Sequence, residues 1–387
     1  MEYFGREIGK LGFGCMRFPG TGTPDGIDIE ETKKMIDAFM EAGFNYFDTA
    51  WAYTGSEDAL RQALVERYPR DSYFITTKIA PWVRCETRED MEQQFEESLK
   101  TLGLDYVDML LVHNVGATRT IPIEKFDAWG YLQEQKALGR TKHIGWSTHG
   151  EPEEIAAYLE KTPGCEMIQL QINYGDWENP GYRERPTYEI VREAGIPIVV
   201  MEPVKGGMLG NPPKAALNIL EECVPGRSAI DWALRFPASL DGVATVLSGM
   251  SSLEQVQQNI ETFKDFQGLT AEENDALMKA ANAFWEGGLI PCTGCNYCAK
   301  VCPADIGISG SLAALNILKS YEDIKVATWT LGNLVRFNGH AMPNECTDCG
   351  ACEEACPQNI NIREELEKVC EQILTRMNER PNVVMKM

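Results

Sequence analysis

Between residues 11 and 249 the chain alternates short apolar, β-branched runs with amphipathic stretches. The runs at 11–15, 46–50, 73–79, 107–113, 143–148, 167–173, 196–204 and 243–249 have strand length and read as candidate strands. Helical periodicity fills the gaps. At 32–42, Met35, Ile36, Phe39 and Met40 share one face, and at 91–102 Phe95, Leu99 and Leu102 do the same. Eight strands alternating with helices predict βα units around a parallel sheet. A span of about 270 residues fits a closed (β/α)8 barrel, a TIM barrel of the α/β class, whose chemistry sits where the strands run out at their C-terminal ends. The fold alternative is an open doubly wound sheet, but no G-x-G-x-x-G opens the first βα turn.

The pattern changes after residue 280. Cys292, Cys295, Cys298 and Cys302 precede Pro303, and Cys346, Cys349, Cys352 and Cys356 precede Pro357. Both runs read C-x2-C-x2-C-x3-C-P, the spacing with which three thiolates clasp one 4Fe-4S cube while the fourth reaches a neighbouring cube. If the fourth ligands are exchanged, one cluster takes Cys292, Cys295, Cys298 and Cys356, and the other takes Cys346, Cys349, Cys352 and Cys302. Zinc also binds four cysteines in paired C-x2-C knuckles, but it explains neither the third evenly spaced cysteine nor the prolines. Disulfides fit less well, because the first twenty residues, with Glu2 and Glu7, lack the apolar stretch of a secretory signal. Between the runs, 312–318 has a helical pattern, so the expected organisation is a barrel over 1–280 and a mainly helical, ferredoxin-like iron-sulfur domain over 281–387. Cys15, Cys85, Cys165, Cys223 and Cys370 lack ligand spacing and read as buried or idle thiols. A charged tail follows Arg376.

Composition narrows the partners. With 36 basic and 58 acidic residues the net charge is -22, which argues against nucleic acid and against anionic membrane surfaces. No apolar stretch approaches the ~20 residues that span a bilayer, so a soluble, cytoplasmic protein is expected. The acidic surface is compatible with docking a basic redox partner.

Candidate chemistry follows from the barrel rule. Asp48 ends the second strand, Tyr53 lies in the loop beyond it, Lys78 ends the third and His113 ends the fourth. Singly these read as a turn cap, an interface ring, a surface amine and a satisfied histidine. Together they form a proton-transfer set: an ammonium stabilises a phenolate and so makes the phenol a better acid, a carboxylate holds the lysine charged, and a histidine orients a carbonyl oxygen.

In these residues the chain resembles the aldo-keto reductase superfamily. The likeness runs through NYFDTAWAYTGSEDALRQAL (45–64), YFITTK (73–78), DMLLVHN (108–114), HIGWSTHG (143–150), MIQLQINY (167–174), VVMEPVKGG (199–207) and SSLEQVQQNI (251–260). The cysteine segment resembles the ferredoxin-like extension of a subset of that family. The resemblance implies hydride transfer between a nicotinamide cofactor and an aldehyde, ketone or keto sugar, or the corresponding alcohol. It implies Tyr53 as general acid, Lys78 and Asp48 as its partners and His113 as the carbonyl orienter. It places Ser147 and Gln171 at the carboxamide, Met201, Pro203 and Lys205 along the ring and pyrophosphate, and Gly249, Ser251, Gln255 and Asn259 at the adenosine end.

Two positions depart from the family. Many members stack an aromatic ring on the nicotinamide where this chain has Met201, whose thioether can pack there instead. Many NADPH-using members carry a Lys or Arg near Gln255, whereas no basic residue stands between Arg235 and Lys264 and Glu254 is acidic. NAD(H) is therefore expected over NADP(H). Trp51 and Trp82 are the expected pocket walls, ahead of Trp129, Trp146 and Trp177, and 175–186 is the longest polar loop for a substrate. Nicotinamide passes two electrons and each cluster one, and no flavin motif is present to split the pair. The clusters thus read as structural staples, with electron exchange with a redox partner as the alternative. A function of another class is a redox-sensing or electron-transfer subunit that binds nicotinamide without carbonyl turnover. The intact tetrad disfavours it, because a pure binder has no need of a proton donor.

Overall fold

A computed structural model describes residues 2–21, 26–179, 183–286, 288–321, 324–332, 335 and 339–379. Eight parallel strands close into a barrel: β1 (Leu11–Gly14), β2 (Tyr46–Asp48), β3 (Phe74–Ile79), β4 (Val107–Val115), β5 (Thr141–Thr148), β6 (Met167–Gln171), β7 (Ile198–Met201) and β8 (Val243–Gly249), with β8 pairing β1. Every residue of β3 and of β4 is buried, polar Thr76, Thr77, Lys78, Asp108, His113 and Asn114 included, as strands covered on both faces require. The TIM-type barrel expected from the alternation is the fold. Strand ends differ from the apolar runs by one to three residues in most cases, the ladder falling short of the run at β1, β2, β3, β6 and β7 and extending past it at β4 and β5.

One end of the barrel interior is filled by Ile8, Tyr46, Phe74, Met109, Leu111, Met167, Val199 and Leu247. Tyr3 and Phe4 pack on this cluster from a short hairpin in which Glu2–Tyr3 pairs antiparallel with Arg6–Glu7. The helices start where the sequence supplies caps. Asp28 accepts the Glu31 N–H ahead of helix Ile29–Glu41, which buries Met35, Ile36 and Phe39. Thr87 and Asp90 form a capping box at helix Arg88–Leu102, and Gly103 ends that helix in the left-handed conformation.

The chain divides into two compact units, residues 1–204 with 230–274 and residues 205–229 with 275–387. The second therefore takes one segment from inside the barrel's stretch of sequence besides the cysteine-bearing part. Its core gathers Ile306, Leu312, Leu315, Leu331, Leu366 and Val369 around helices Ile308–Tyr321, Ile324–Leu331 and Ile362–Val369. The helical pattern at 312–318 is thus the middle of a longer helix. Residues 380–387 of the charged tail lie outside the described residues.

Candidate active site and cluster cavities

Three neighbouring strands bring the proton-transfer set together. Asp48 closes β2, Lys78 stands at the end of β3, and His113 at the end of β4. Tyr53 comes from the turn after β2, where its N–H donates to the Ala50 carbonyl and its own carbonyl accepts the Ser56 N–H. Parallel register, with Asp48 opposite Thr76 and Lys78 opposite Leu111, sets the three strand ends side by side.

Lys78 Nζ donates to Asp48 Oδ1 at 2.6 Å and to the Thr49 carbonyl at 2.8 Å. Both side chains of the ion pair are almost wholly buried. The same ammonium lies 5.0 Å from the centroid of the Tyr53 ring, and the Tyr53 and His113 rings meet edge to face at 5.6 Å. Burial pushes the Asp48 carboxyl up and the Lys78 ammonium down from their ordinary values, and the ion pair opposes both shifts. Cys15 is buried beside this pair; desolvation first, then repulsion from Asp48, pushes its thiol well up, so it stays neutral.

Of the tryptophans weighed as pocket walls, Trp82 reaches the tetrad. Its Nε1–H donates to the His113 carbonyl at 2.9 Å, and its ring stands 5.9 Å from the imidazole. Trp51 turns away, donating to Glu97 at 2.9 Å on helix Arg88–Leu102. Trp146 donates to Thr162 and packs on Tyr158, Trp177 packs between Tyr188 and Phe236, and Trp129 is a core residue. In the 175–186 loop, residues 180–182 lie outside the described residues, while Asp176 and Glu184 are buried in a hydrogen-bond network and do not line a polar rim.

That network holds Gln171. Its amide donates to Asp176 and Glu184 and its Oε1 pairs with His149 Nδ1 at 3.0 Å. Burial, followed by the charge of Arg119, pushes His149 down to about 4, so the imidazole is neutral at physiological pH. Ser147 Oγ accepts the Asn114 N–H at 2.9 Å. Asn114 itself has φ 59, is buried, and neither atom of its amide has a hydrogen-bond partner among the described residues. An orphaned buried amide next to His113 and Ser147 fits a site built to receive a polar ligand such as a carboxamide.

At the adenosine-matching end, Asn259 donates to Ser248 Oγ at 2.7 Å, and the Gln255 side chain accepts the Ser251 N–H. The residue that sequence reasoning missed there is Arg17. Its carbonyl accepts the Ser251 hydroxyl, and its side chain lies so close over Gly249 that a Cβ would sit 3.3 Å from Arg17 Cδ. Nothing in the chain's spacing signals Arg17, which stands 234 residues from the hydroxyl that its backbone carbonyl meets. Met201 ends β7 half-buried and Pro203 is buried beyond it. Lys205 belongs to the second unit and is fully buried, with Nζ 5.2 Å from the centroid of the Trp285 ring, so it is not a solvated surface lysine.

The eight motif cysteines ring two cavities. One, of about 310 Å³, is lined by Cys292, Cys295, Cys298 and Cys356 with Leu312, Ile360 and Ile362. The other, of about 300 Å³, is lined by Cys302, Cys346, Cys349 and Cys352 with Ile306, Ile308 and Leu366. Each cavity draws three thiols from one run and the fourth from the other. Among the described residues no three His, Cys, Asp or Glu side chains converge on a point that could hold one ion. Four thiols around an apolar void fit a cubane better than a single zinc ion. Cys356→Ala is therefore expected to remove the cluster held by Cys292, although it stands in the second run. Iron should fall from about eight to about four per chain, and the electron paramagnetic resonance of the reduced protein should lose the signal that Cys292→Ala loses. Loss of the signal that Cys346→Ala removes would refute the exchange.

The barrel fold and the cysteine-bearing domain agree with comparisons to known proteins. Residues 10–282 match the aldo/keto reductase family, and residues 291–360 match a 4Fe-4S dicluster domain. An aldo-keto reductase of Mycolicibacterium vanbaalenii is 32% identical over 67% of this chain and 86% of its own. The D-galacturonate reductase of Fragaria ananassa is 28% identical over 67% of this chain and 84% of its own. The holo aldo-keto reductase AKR11C1 of Bacillus halodurans superposes with a TM-score of 0.58 at 26% identity, covering 71% of this chain and 93% of that one.

Proposed function

Since the chain belongs to the aldo/keto reductase family, we propose that it reduces an aldehyde, ketone or keto sugar with a nicotinamide cofactor, or oxidises the corresponding alcohol. The observation that carries this reading is the buried Lys78–Asp48 pair set beside the Tyr53 ring, with the His113 ring meeting that ring edge to face. Nicotinamide, when bound, supplies or takes the hydride. Ser147, Gln171 and the orphaned Asn114 amide are the polar groups that would hold its carboxamide. His113 orients the carbonyl oxygen, and Tyr53 gives that oxygen its proton. The Lys78 ammonium stabilises the phenolate left behind, and Asp48 with the Thr49 carbonyl keeps the ammonium in place. One hydride and one proton balance the reduction. The Trp82 ring beside His113 offers an apolar wall to the substrate.

NADH is the proposed cofactor, on the strength of acidic Glu254 in the first turn of helix Leu253–Lys264. Arg17 weighs against it, since its side chain brings a cation to the neighbourhood of Gly249. Titration with both cofactors decides the matter. An NADPH Kd about tenfold or more below that of NADH, with the difference lost in Arg17→Met, would reverse the assignment. The function itself is tested by anaerobic turnover of the cluster-replete protein on a panel of aldehydes, ketones, keto sugars and uronic acids. Cofactor binding without turnover in either direction would sink it.

The clusters are proposed to be staples of the second unit, each tying two chain segments through its exchanged fourth cysteine. Electron exchange with a protein partner is favoured by one observation: Cys346 and Cys349 are exposed, whereas Cys298 and Cys352 are buried. Reduction of the clusters by NADH at the rate of turnover would establish it in place of the staple.

A further inference from the structure

The segment 205–229 stands between β7 and β8 in sequence, yet it packs in the same compact unit as the cysteine motifs. It enters that unit through three consecutive residues of positive φ: Lys205 at 50°, Gly206 at 63° and Gly207 at 100°. The two glycines adopt such angles freely, whereas Lys205 is a non-glycine residue in a sparsely populated region. Gly206 rests against Thr293. A Cβ on Gly206 would lie 2.3 Å from the Thr293 carbonyl oxygen, 2.5 Å from its Cα and 2.6 Å from its carbonyl carbon. The contact is backbone on backbone, so no side-chain rotation could relieve it.

Thr293 is the buried residue that follows Cys292 in the Cys292–Cys295 turn, and it also lines the first cysteine cavity. One peptide therefore faces the cluster cavity and seats Gly206. Lys205, held over the Trp285 ring, fixes the loop at a second point.

We propose that the first cluster is the seat of the loop that begins at Lys205, so that nicotinamide affinity depends on this cluster being in place. With Cys292 and Cys295 both bonded to one cube, the turn between them is rigid and Gly206 keeps its left-handed conformation against Thr293. When the cluster is lost the turn relaxes, and the loop loses the surface that shapes it. The inference rests on the reading of residues 201–207 as the ring and pyrophosphate loop. Coupling of this kind is reciprocal, so bound cofactor slows the loss of the first cluster. The enzyme would then switch itself off when iron is withdrawn or oxygen attacks the cluster, without any change in the tetrad.

The test uses the anaerobic, cluster-replete full chain with NADH and NADPH as probes. Gly206→Ala introduces the clash. Gly207→Ala is the control: it carries at least as much backbone strain at φ 100°, but its Cβ would meet nothing within 4 Å. Two quantities are read, the cofactor Kd and the rate at which a chelator bleaches the first cluster, identified by the signal missing in Cys356→Ala. Gly206→Ala should weaken binding about tenfold or more beyond Gly207→Ala and bleach faster. Saturating cofactor should slow bleaching in the wild type and not in Gly206→Ala. A Gly206→Ala protein that binds cofactor weakly but keeps its cluster as long as the wild type, with no protection by cofactor in either, overturns the coupling and leaves the loop assignment standing. A wild-type protein that binds neither cofactor overturns the loop assignment and the inference with it.

Discussion

Tyr53→Phe is expected to lower kcat by about 100- to 10,000-fold while leaving the cofactor Kd nearly unchanged. The substitution removes one hydroxyl and keeps the ring that meets His113 edge to face at 5.6 Å and lies 5.0 Å from Lys78 Nζ. Packing is preserved, so only the proton donor is lost. Hydride transfer to a carbonyl without a matched proton leaves an alkoxide in a site where Lys78 is already committed to Asp48 and the Thr49 carbonyl. Steady-state rates at saturating cofactor, with Kd read separately, make the comparison. A variant that keeps more than about a tenth of wild-type kcat would show that another group donates the proton.

Lys78→Met should cost both activity and stability. The lysine is the buried cation paired with Asp48, and removing one member of such a pair destabilises by about 3–5 kcal/mol, because a desolvated charge is left uncompensated. For a domain of this size that is a fall in Tm of roughly 6–20 °C. The sign of the pH dependence follows. Without the ammonium, burial, which raises the Asp48 carboxyl and is the largest influence on it, is opposed by the Gln169 side chain and no longer by an ion pair. A carboxyl whose folded value exceeds its unfolded one, about 3.9 for aspartate, gives stability that is full below that value and lost as pH rises through the folded value. The variant should therefore melt closest to the wild type in mild acid and fall away toward neutrality. Asp48→Asn combined with Lys78→Met should recover most of the Tm at neutral pH but none of the activity. Equal Tm deficits for the single and double variants across pH would refute the buried-charge explanation.

The barrel was legible because its strands are buried on both faces, and such strands leave long apolar runs in sequence. Segments such as Phe74–Ile79 and Val107–Val115 with helices between them fit any parallel sheet covered on both faces, and the count of eight strands without a G-x-G-x-x-G turn is what separated the barrel from an open sheet. The tetrad was legible because parallel strands deliver their last residues to one end, so that a strand's final position predicts its neighbourhood. Trp51 and Trp82 show where this reasoning stops. Both follow barrel strands in the same way, yet one donates to Glu97 and the other to the His113 carbonyl. Which way a loop residue turns depends on the helix or strand end it meets, and sequence position does not carry that information.

The sequence by itself determined the periodicities, hence the barrel, and the covalent spacing of the cysteines, hence three neighbouring thiols in each run. Both are local properties, set by side-chain period and by the reach of a few residues of backbone. Only the tertiary structure decided that Arg17 lies over Gly249, that Lys205 is buried against Trp285, and that Gly206 rests on the peptide of Thr293. These are meetings of segments about 80 to 235 residues apart, fixed by how whole elements pack. Such contacts leave no periodic trace, because each needs only one small, charged or left-handed residue at the point where two distant turns touch.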